Sequence, residues 1–152
     1  MKKLILVFLS WTLFASAPPV LEARLTPKRS VLENGMVLLT SEERALPMIT
    51  LNLLIKAGSR YDPQGREGLA NLAARLLTYG TRSRTALQIS EELDFIGAGL
   101  STGCSEDLAT VSLTLLKKDL DVGLNLLADV LTASVFSPEE IDRQKKSVIA
   151  SI

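Results

Sequence analysis

The polar residues best placed to act together are Glu67, Asn71 and Arg75, which follow one another at intervals of four residues in a helical pattern. On one helix face this spacing brings neighbouring side chains within hydrogen-bonding reach. The arginine guanidinium can also donate to a carboxylate. The sequence contains no histidine, so a Ser-His or Cys-His nucleophile is impossible within this segment. The stripe therefore predicts either an inert set of hydrogen bonds or an arginine that grips a carboxylate of a partner or peptide.

Composition narrows the class of protein. Cys104 is the single cysteine, so no internal disulfide can form, and the thiol is either a small buried apolar group or a reactive group. Without the first 17 residues, which hold Lys2 and Lys3, the net charge is near −2. No basic block stands out, so nucleic acid is not a predicted partner.

Residues 1–23 have the pattern of a secretory signal. Lys2 and Lys3 precede an apolar run at 4–15, and a small-residue cleavage site ends at Ala17. About 12 apolar residues are too few to span a bilayer, which needs about 20. Because Pro18 disfavours a cut directly before it, cleavage is predicted between residues 17 and 23. An uncleaved membrane anchor, or a buried or interfacial N-terminal helix, is the alternative. The pattern predicts export, in a bacterium to the periplasm.

The residues after the signal predict strands. Asn34-Gly35 separates the runs 28–32 and 36–41, which predicts a hairpin with a type I′ turn. A third apolar run at 49–55 reads as a well-buried strand. Three successive strands predict an antiparallel sheet.

The period then changes to that of helices. The apolar positions of the first predicted helix are Leu69, Leu72, Ala73, Leu76 and Leu77. Thr85 and Gln88 form a capping box for a second helix, whose apolar positions are Ala86, Ile89, Leu93 and Ile96. Strands are predicted at 100–105 and 108–116. Asp119 is the predicted cap of a third helix, whose inner positions are Leu120, Leu124, Leu127 and Leu131.

The last element predicts both a fold class and a truncation. Ser137 and Pro138 have the residue types of an N-cap and a first helical position. The helix they begin is still running at Ile152, which predicts that the domain, residues 24–152, is truncated at its C-terminus. The order of elements predicts an α+β domain, with helices packed on one face of a mostly antiparallel sheet.

Residues 58–81 carry a resemblance to a known family. They include G-S-R-Y-D-P at 58–63, G-L-A-N-L-A-A-R-L-L at 68–77 and G-T at 80–81, and they resemble the pitrilysin/insulinase family of zinc metallopeptidases. The segments 117–120 and 136–152 support the same resemblance. It implies a half-clamshell domain, here partial, of a protein that closes around a peptide.

The resemblance also implies a zinc motif, H-x-x-E-H, at residues 71–75. Asn71, Ala74 and Arg75 stand in place of the two histidine ligands and the glutamate base. A guanidinium has no lone pair to donate, and at ~4 Å from a dication it would be repelled by roughly 8 kcal/mol at an effective dielectric constant of 20. The family's distal acid pair aligns with Ala150 and Ser151. No catalytic residue, no metal ligand and no zinc cofactor are therefore predicted.

With these departures, the resemblance implies a catalytically inactive, non-catalytic subunit that takes part in periplasmic peptide proteolysis. It is similar to the metal-free subunits of two-subunit bacterial enzymes and of the mitochondrial processing peptidase. The implied partners are a zinc-bearing homologue and peptides, with no membrane contact beyond the export signal. In catalytic members the strand after the second helix pairs with the peptide backbone by β-augmentation. The matching residues here are Gly99, Leu100, Ser101, Thr102 and Gly103.

Three alternatives remain open from the sequence. Residues 99–103 can instead form an ordinary strand loosened by glycine. The whole chain can be a stand-alone peptide-binding or scaffolding module without a protease partner. It can also be a peptidase that uses another mechanism, although the substituted positions favour a chain that is not an enzyme on its own.

Overall fold

The computed structural model describes residues 26–150. The predicted signal at 1–23 and the predicted site position Ser151 lie outside these residues. The chain forms two compact units, one ending at Ala45 and the other beginning at Leu46. Within residues 26–150, no helix has the length and apolar character needed to cross a membrane.

Strands and helices follow the predicted order. The strands are β1 (Lys28–Val31), β2 (Val37–Thr40), β3 (Met48–Ile55), β4 (Gly99–Cys104) and β5 (Ala109–Leu116). The helices are α1 (Leu69–Leu76), α2 (Ala86–Phe95), α3 (Leu120–Ala133) and α4 (Pro138–Ala150). Short 3₁₀ turns lie at Ser59–Tyr61 and Lys117–Asp119.

The first unit holds an antiparallel hairpin of β1 and β2, as predicted, but its turn differs from the prediction. The amide of Gly35 donates to the carbonyl of Leu32 at 2.9 Å, and the amide of Leu32 donates to the carbonyl of Met36 at 2.9 Å. Gly35 has a φ of 83°, whereas Asn34 is not among the residues with positive φ. The connection is therefore a three-residue loop that ends on a left-handed glycine, since a type I′ turn needs positive φ at both central residues.

The second unit contains a three-stranded antiparallel sheet in the order β3-β5-β4. All eight residues of β3 pair with β5, from Met48 with Leu116 to Ile55 with Ala109. The prediction that the first three strands join in one sheet is wrong, because β3 pairs with β5 and not with β2. The two strands have equal length and alternate in register, which gives a full ladder with one apolar face.

Helices cover one face of this sheet, which confirms the predicted fold class. Leu51, Leu100 and Leu113 are register partners, so their side chains share that face. A β-carbon on Gly123 of α3 would lie 2.4 Å from Cδ2 of Leu115, so α3 lies directly on β5. The opposite face includes Thr50, whose hydroxyl lies 3.3 Å from that of Thr114.

The core joins α2 and α3 to the sheet, and it corrects the predicted face of α3. Ile89, Leu126 and Val130 form its centre, and Gly123 is also buried. Leu124, which was predicted to face inward, is 43% exposed. Apolar residues lie all around α3, so periodicity could not select a face. Gly123 selects it, because only glycine permits this approach to the sheet.

Helix starts agree with prediction at two of three positions. In α2 the amide of Gln88 donates to Oγ1 of Thr85 at 3.2 Å, and the amide of Thr85 donates to Oε1 of Gln88 at 2.8 Å. In α4 the amide of Glu140 donates to Oγ of Ser137 at 3.3 Å. Asp119 is at the N-cap position of α3, but its side chain accepts no capping hydrogen bond. The predicted cap by Asp119 is therefore wrong.

Candidate functional site

Helix α1, which carries Asn71, Ala74 and Arg75, begins at a cap supplied by a distant carboxylate. Asp62 Oδ2 accepts from the amide of Gly68 at 2.8 Å, and its Oδ1 accepts from the amide of Ala70 at 2.9 Å. Gly68 has the left-handed conformation, with a φ of 94°. One carboxylate thus satisfies amides that a helix start leaves without intrahelical partners. Sequence reasoning missed this role, because Asp62 lies too far from the helix for a local capping pattern.

The turn before α1 is docked on the β4–β5 connection. The amide of Ser59 donates to the carbonyl of Ser105 at 3.0 Å, and the amide of Arg60 donates to the carbonyl of Glu106 at 2.9 Å. Arg60 also forms an ion pair with Asp107 at 2.9 Å. Gly58 is buried here, and a β-carbon on it would lie 2.2 Å from the Glu106 carbonyl oxygen. The absence of a side chain at Gly58 therefore permits the contact that positions the start of α1.

Asn71 and Arg75 form the predicted hydrogen bond along one face of α1. Arg75 Nε donates to Oδ1 of Asn71 at 3.0 Å, and both residues are exposed. Glu67 does not extend this stripe, because it precedes Gly68 and therefore lies outside the helix. Its Oε1 accepts from the amide of Gly65 at 2.9 Å. Hydrogen bonds from its own amide and from that of Gly65 lower the pKa of Glu67.

Ala74 and Ala150 stand at other positions where the resemblance implies chemical groups, and both have only a methyl side chain. Ala74 is buried, with 5% of its surface exposed, and it lines a cavity of about 290 Å³ between α1 and the sheet. Ala150 is the last residue of α4, a helix that contacts α1. Neither methyl group can bind a metal or accept a proton.

The predicted peptide-binding residues, 99–103, form most of β4. Among residues 26–150 this strand pairs with β5 alone, so it occupies one edge of the three-stranded sheet. A β-carbon on Gly99 would meet no atom of residues 26–150 within 4 Å, whereas one on Gly103 would lie 3.2 Å from Oγ1 of Thr110. Backbone groups on the outer side of such an edge are free to pair with an added strand.

A charged cluster near the end of α1, which sequence reasoning missed, joins the α1–α2 connection to α3. Oδ2 of Asp129 accepts from Thr81 Oγ1 at 2.7 Å, Ser83 Oγ at 2.7 Å and Arg84 Nη1 at 2.8 Å. Hydrogen bonds from Ser83, Thr81 and Arg84 lower the pKa of Asp129. The hydrogen bonds that Arg84 donates to Glu92 and Asp129 raise the pKa of Arg84. More than 40 residues separate Asp129 from its partners, so no local pattern could reveal it.

The family of this chain follows from a match to a known protein family. Residues 37–152 match the family described as Insulinase (Peptidase family M16). The chain belongs to this family. The match includes the residues that dock and cap the start of α1, together with the whole of α1.

Relatives in the insulinase family have similar sequences over most of this chain. An uncharacterized zinc protease of Rickettsia felis is 32% identical over 123 residues, which are 81% of this chain and 30% of that protein. The mitochondrial-processing peptidase subunit beta of Bos taurus is 31% identical over 118 residues, 78% of this chain and 24% of that subunit. The chain thus spans about a third or less of these relatives.

Solved structures agree with the family assignment. A peptidase M16 inactive domain from Pseudomonas fluorescens superimposes with a TM-score of 0.79 at 28% identity, covering 84% of this chain and 31% of that one. A protease from Helicobacter pylori gives a TM-score of 0.75 at 20% identity, covering 84% and 30%. The second likeness shows the fold alone.

The donor groups of this insulinase-family chain do not fit a zinc ion. Oδ1 of Asn71 is already bonded to Arg75, which has no lone pair to offer. Ala74 and Ala150 supply no donor atoms. Within residues 26–150, no group of three or more histidine, cysteine, aspartate or glutamate side chains is placed to hold a metal. No hydrolytic step through zinc can be derived for these residues.

Proposed function

We propose that this chain is a catalytically inactive, metal-free member of the insulinase family. In this proposal it is exported and pairs with a zinc-bearing homologue to enclose peptides for cleavage by that homologue. The observation that carries the proposal is the Asn71–Arg75 hydrogen bond, at 3.0 Å, on a helix whose structural frame is intact. The likeness to the Pseudomonas fluorescens inactive domain supports it.

The role of this chain toward peptides rests on β4. An extended peptide adds to the free edge of β4 as a further antiparallel or parallel strand, held by backbone hydrogen bonds. Such binding slows hydrogen exchange of the backbone amides at 99–103 and leaves the exchange of the β1–β2 hairpin unchanged. Equal protection of both regions, or of neither, would contradict this role for β4.

Co-expression with a zinc-bearing insulinase-family protein from the same organism tests the pairing. We expect a stable complex in size-exclusion chromatography, with chelator-sensitive peptidase activity that exceeds that of the zinc-bearing protein alone. The chain by itself is expected to hydrolyse no peptide and to hold no stoichiometric zinc. Separate elution together with full activity of the zinc-bearing protein alone would refute the pairing.

The second candidate function is a stand-alone peptide-binding module. The free edge of β4 favours it, because that edge belongs to this chain and needs no second subunit. In that case peptides protect β4 in hydrogen exchange, while the zinc-bearing protein neither co-elutes nor changes its activity. The two experiments together separate the candidates.

A further inference from the structure

Helices α1 and α4 border a groove of about 590 Å³, together with the turn at 65–68 that precedes α1. Its apolar lining residues are Leu69, Leu72, Val148 and Ile149. Leu69 is 44% exposed and Ile149 is 72% exposed. Large apolar side chains exposed together in a concavity favour binding of an apolar group. We call this feature the α1–α4 groove.

The charges of the α1–α4 groove are mainly positive. Arg66 and Lys145 line it, and neither forms an ion pair within residues 26–150. Glu67 is the one acidic lining residue in the part of the chain that the structure describes, and its Oε1 already accepts from the amide of Gly65. The groove therefore favours an anion beside its apolar wall.

Arg75 is not a lining residue of the α1–α4 groove, but it lies at the border of the groove, where a hydrogen bond to a lining residue holds its guanidinium. Its Nε donates to Oδ1 of Asn71, which lines the groove. For the described part of the chain, the terminal nitrogens Nη1 and Nη2 of Arg75 have no hydrogen-bond partner. A planar guanidinium anchored through Nε presents those two donors in the geometry that suits a carboxylate.

We propose that the α1–α4 groove binds the C-terminal end of a peptide whose last residue is apolar. Arg75, Arg66 and Lys145 hold the α-carboxylate, and Leu69 and Ile149 receive the terminal side chain. An α-carboxylate and an apolar side chain on one Cα atom match a cationic wall beside an apolar one. The proposal rests on the peptide-binding role proposed above, and it names the part of the peptide that is recognised.

Fluorescence anisotropy with the purified chain tests the proposal. The probe is a labelled pentapeptide ending in leucine, prepared with a free carboxylate and as the C-terminal amide. We expect the amide to bind about 10-fold more weakly, since it loses a charge-assisted contact. Arg75→Gln and Lys145→Gln each weaken the free acid severalfold, by less than the change from acid to amide, and leave the amide unchanged. Arg82→Gln, which removes an exposed arginine outside the groove, is the matched control.

The apolar wall has its own variant. Ile149→Ser is expected to weaken binding of the leucine-terminated acid severalfold and to leave an otherwise identical glycine-terminated acid unchanged. Circular dichroism of each variant verifies folding. Because Arg75, Lys145 and Ile149 are exposed, these substitutions leave the core intact.

Three results would overturn the proposal. One is equal affinity for acid and amide, and another is an Arg75→Gln variant that binds as wild type does. The third is an amidated peptide with an internal glutamate that binds as tightly as the free acid, which would assign the groove to an acidic segment of a protein partner. Pairing with the zinc-bearing homologue is measured separately. A chain that forms the complex but binds acid and amide equally refutes only this proposal. A chain that prefers the free acid but forms no complex refutes only the pairing.

Discussion

Substitution of Gly58 by alanine tests how the turn before α1 is held on the β4–β5 connection. The new β-carbon would lie 2.2 Å from the Glu106 carbonyl oxygen and 2.5 Å from the Asp107 carbonyl carbon. Relief of this overlap needs a movement of about 1 Å, since heavy atoms approach no closer than roughly 3.2 Å. Two backbone hydrogen bonds, Ser59 to Ser105 and Arg60 to Glu106, span this contact at 3.0 and 2.9 Å, and they would stretch beyond useful length.

The expected magnitude follows from these bonds. Two hydrogen bonds at about 1 kcal/mol each give a loss of about 2 kcal/mol in the free energy of unfolding. Gly58 has a φ of −81° and a ψ of 176°, which alanine adopts easily. Restriction of the unfolded chain therefore returns about 0.4–1 kcal/mol. The net loss expected is about 1–2 kcal/mol.

Gly99→Ala is the matched control for Gly58→Ala. A β-carbon on Gly99 meets no atom of the described residues within 4 Å, so this variant receives the unfolded-state gain without the clash. The two variants should differ by about 2 kcal/mol, which corresponds to roughly 1 M in the midpoint of urea unfolding followed by circular dichroism. Equal midpoints would refute the reasoning that Gly58 permits a close backbone contact.

Three further predictions concern the core, the charged cluster and the metal. Leu113→Ala removes a side chain that is 0% exposed and should lower the free energy of unfolding by about 2–5 kcal/mol in urea titrations; a loss below about 1 kcal/mol would contradict its place in the core. The lowered pKa of Asp129 means that its ionised form stabilises the fold above the ordinary aspartate pKa of about 4, and that this stabilisation is lost as the pH falls through the lower folded-state pKa. The stability difference between wild type and Asp129→Asn should therefore shrink between about pH 5 and pH 2, and a constant difference would be evidence against the cluster. Asn71→His with Arg75→His places two imidazoles at i and i+4, so equilibrium dialysis should detect zinc bound by the double variant and not by wild type; no peptidase activity is expected from it, because Ala74 cannot act as a base.

The sequence predicted elements wherever the signal was local, and it failed wherever packing or distant contacts decided. The Thr85–Gln88 box was predictable because its hydrogen bonds join residues three apart. The buried face of α3 was not predictable, because apolar residues of this helix lie on all of its sides. The packing of Gly123 against the sheet selects the face. The Asp129 cluster was missed for the same kind of reason, since its partners are brought together only by the fold.

The candidate site shows the same division. The hydrogen bond between Asn71 and Arg75 was predictable from helical spacing, and the structure gives it at 3.0 Å. The exclusion of Glu67 from that stripe was not predictable, because it depends on the left-handed conformation of Gly68, with its φ of 94°.

The exposure of Arg75 to solvent lowers the electrostatic repulsion between its guanidinium and a zinc ion. At an effective dielectric constant of 20 the repulsion of a dication at ~4 Å is roughly 8 kcal/mol, but near the value for water, about 80, it falls to roughly 2 kcal/mol. Arg75 is exposed, so the smaller figure applies and repulsion alone would not prevent binding. The side chains of Arg75, Ala74 and Ala150 have no lone pair to offer a metal, so they cannot act as zinc ligands whatever the repulsion.

The residues that carry the family resemblance around α1 therefore have two separate physical roles. Gly58, Asp62 and Gly68 dock and cap α1 through backbone contacts that require no metal. Asn71 and Arg75, which stand where the resemblance implies two histidine ligands, are exposed on the surface of that helix. Because both side chains are exposed, substitutions at these two positions cost little in packing and leave the capped start of α1 in place. In the proposal made above, the exposed guanidinium of Arg75 contacts a peptide carboxylate rather than a metal.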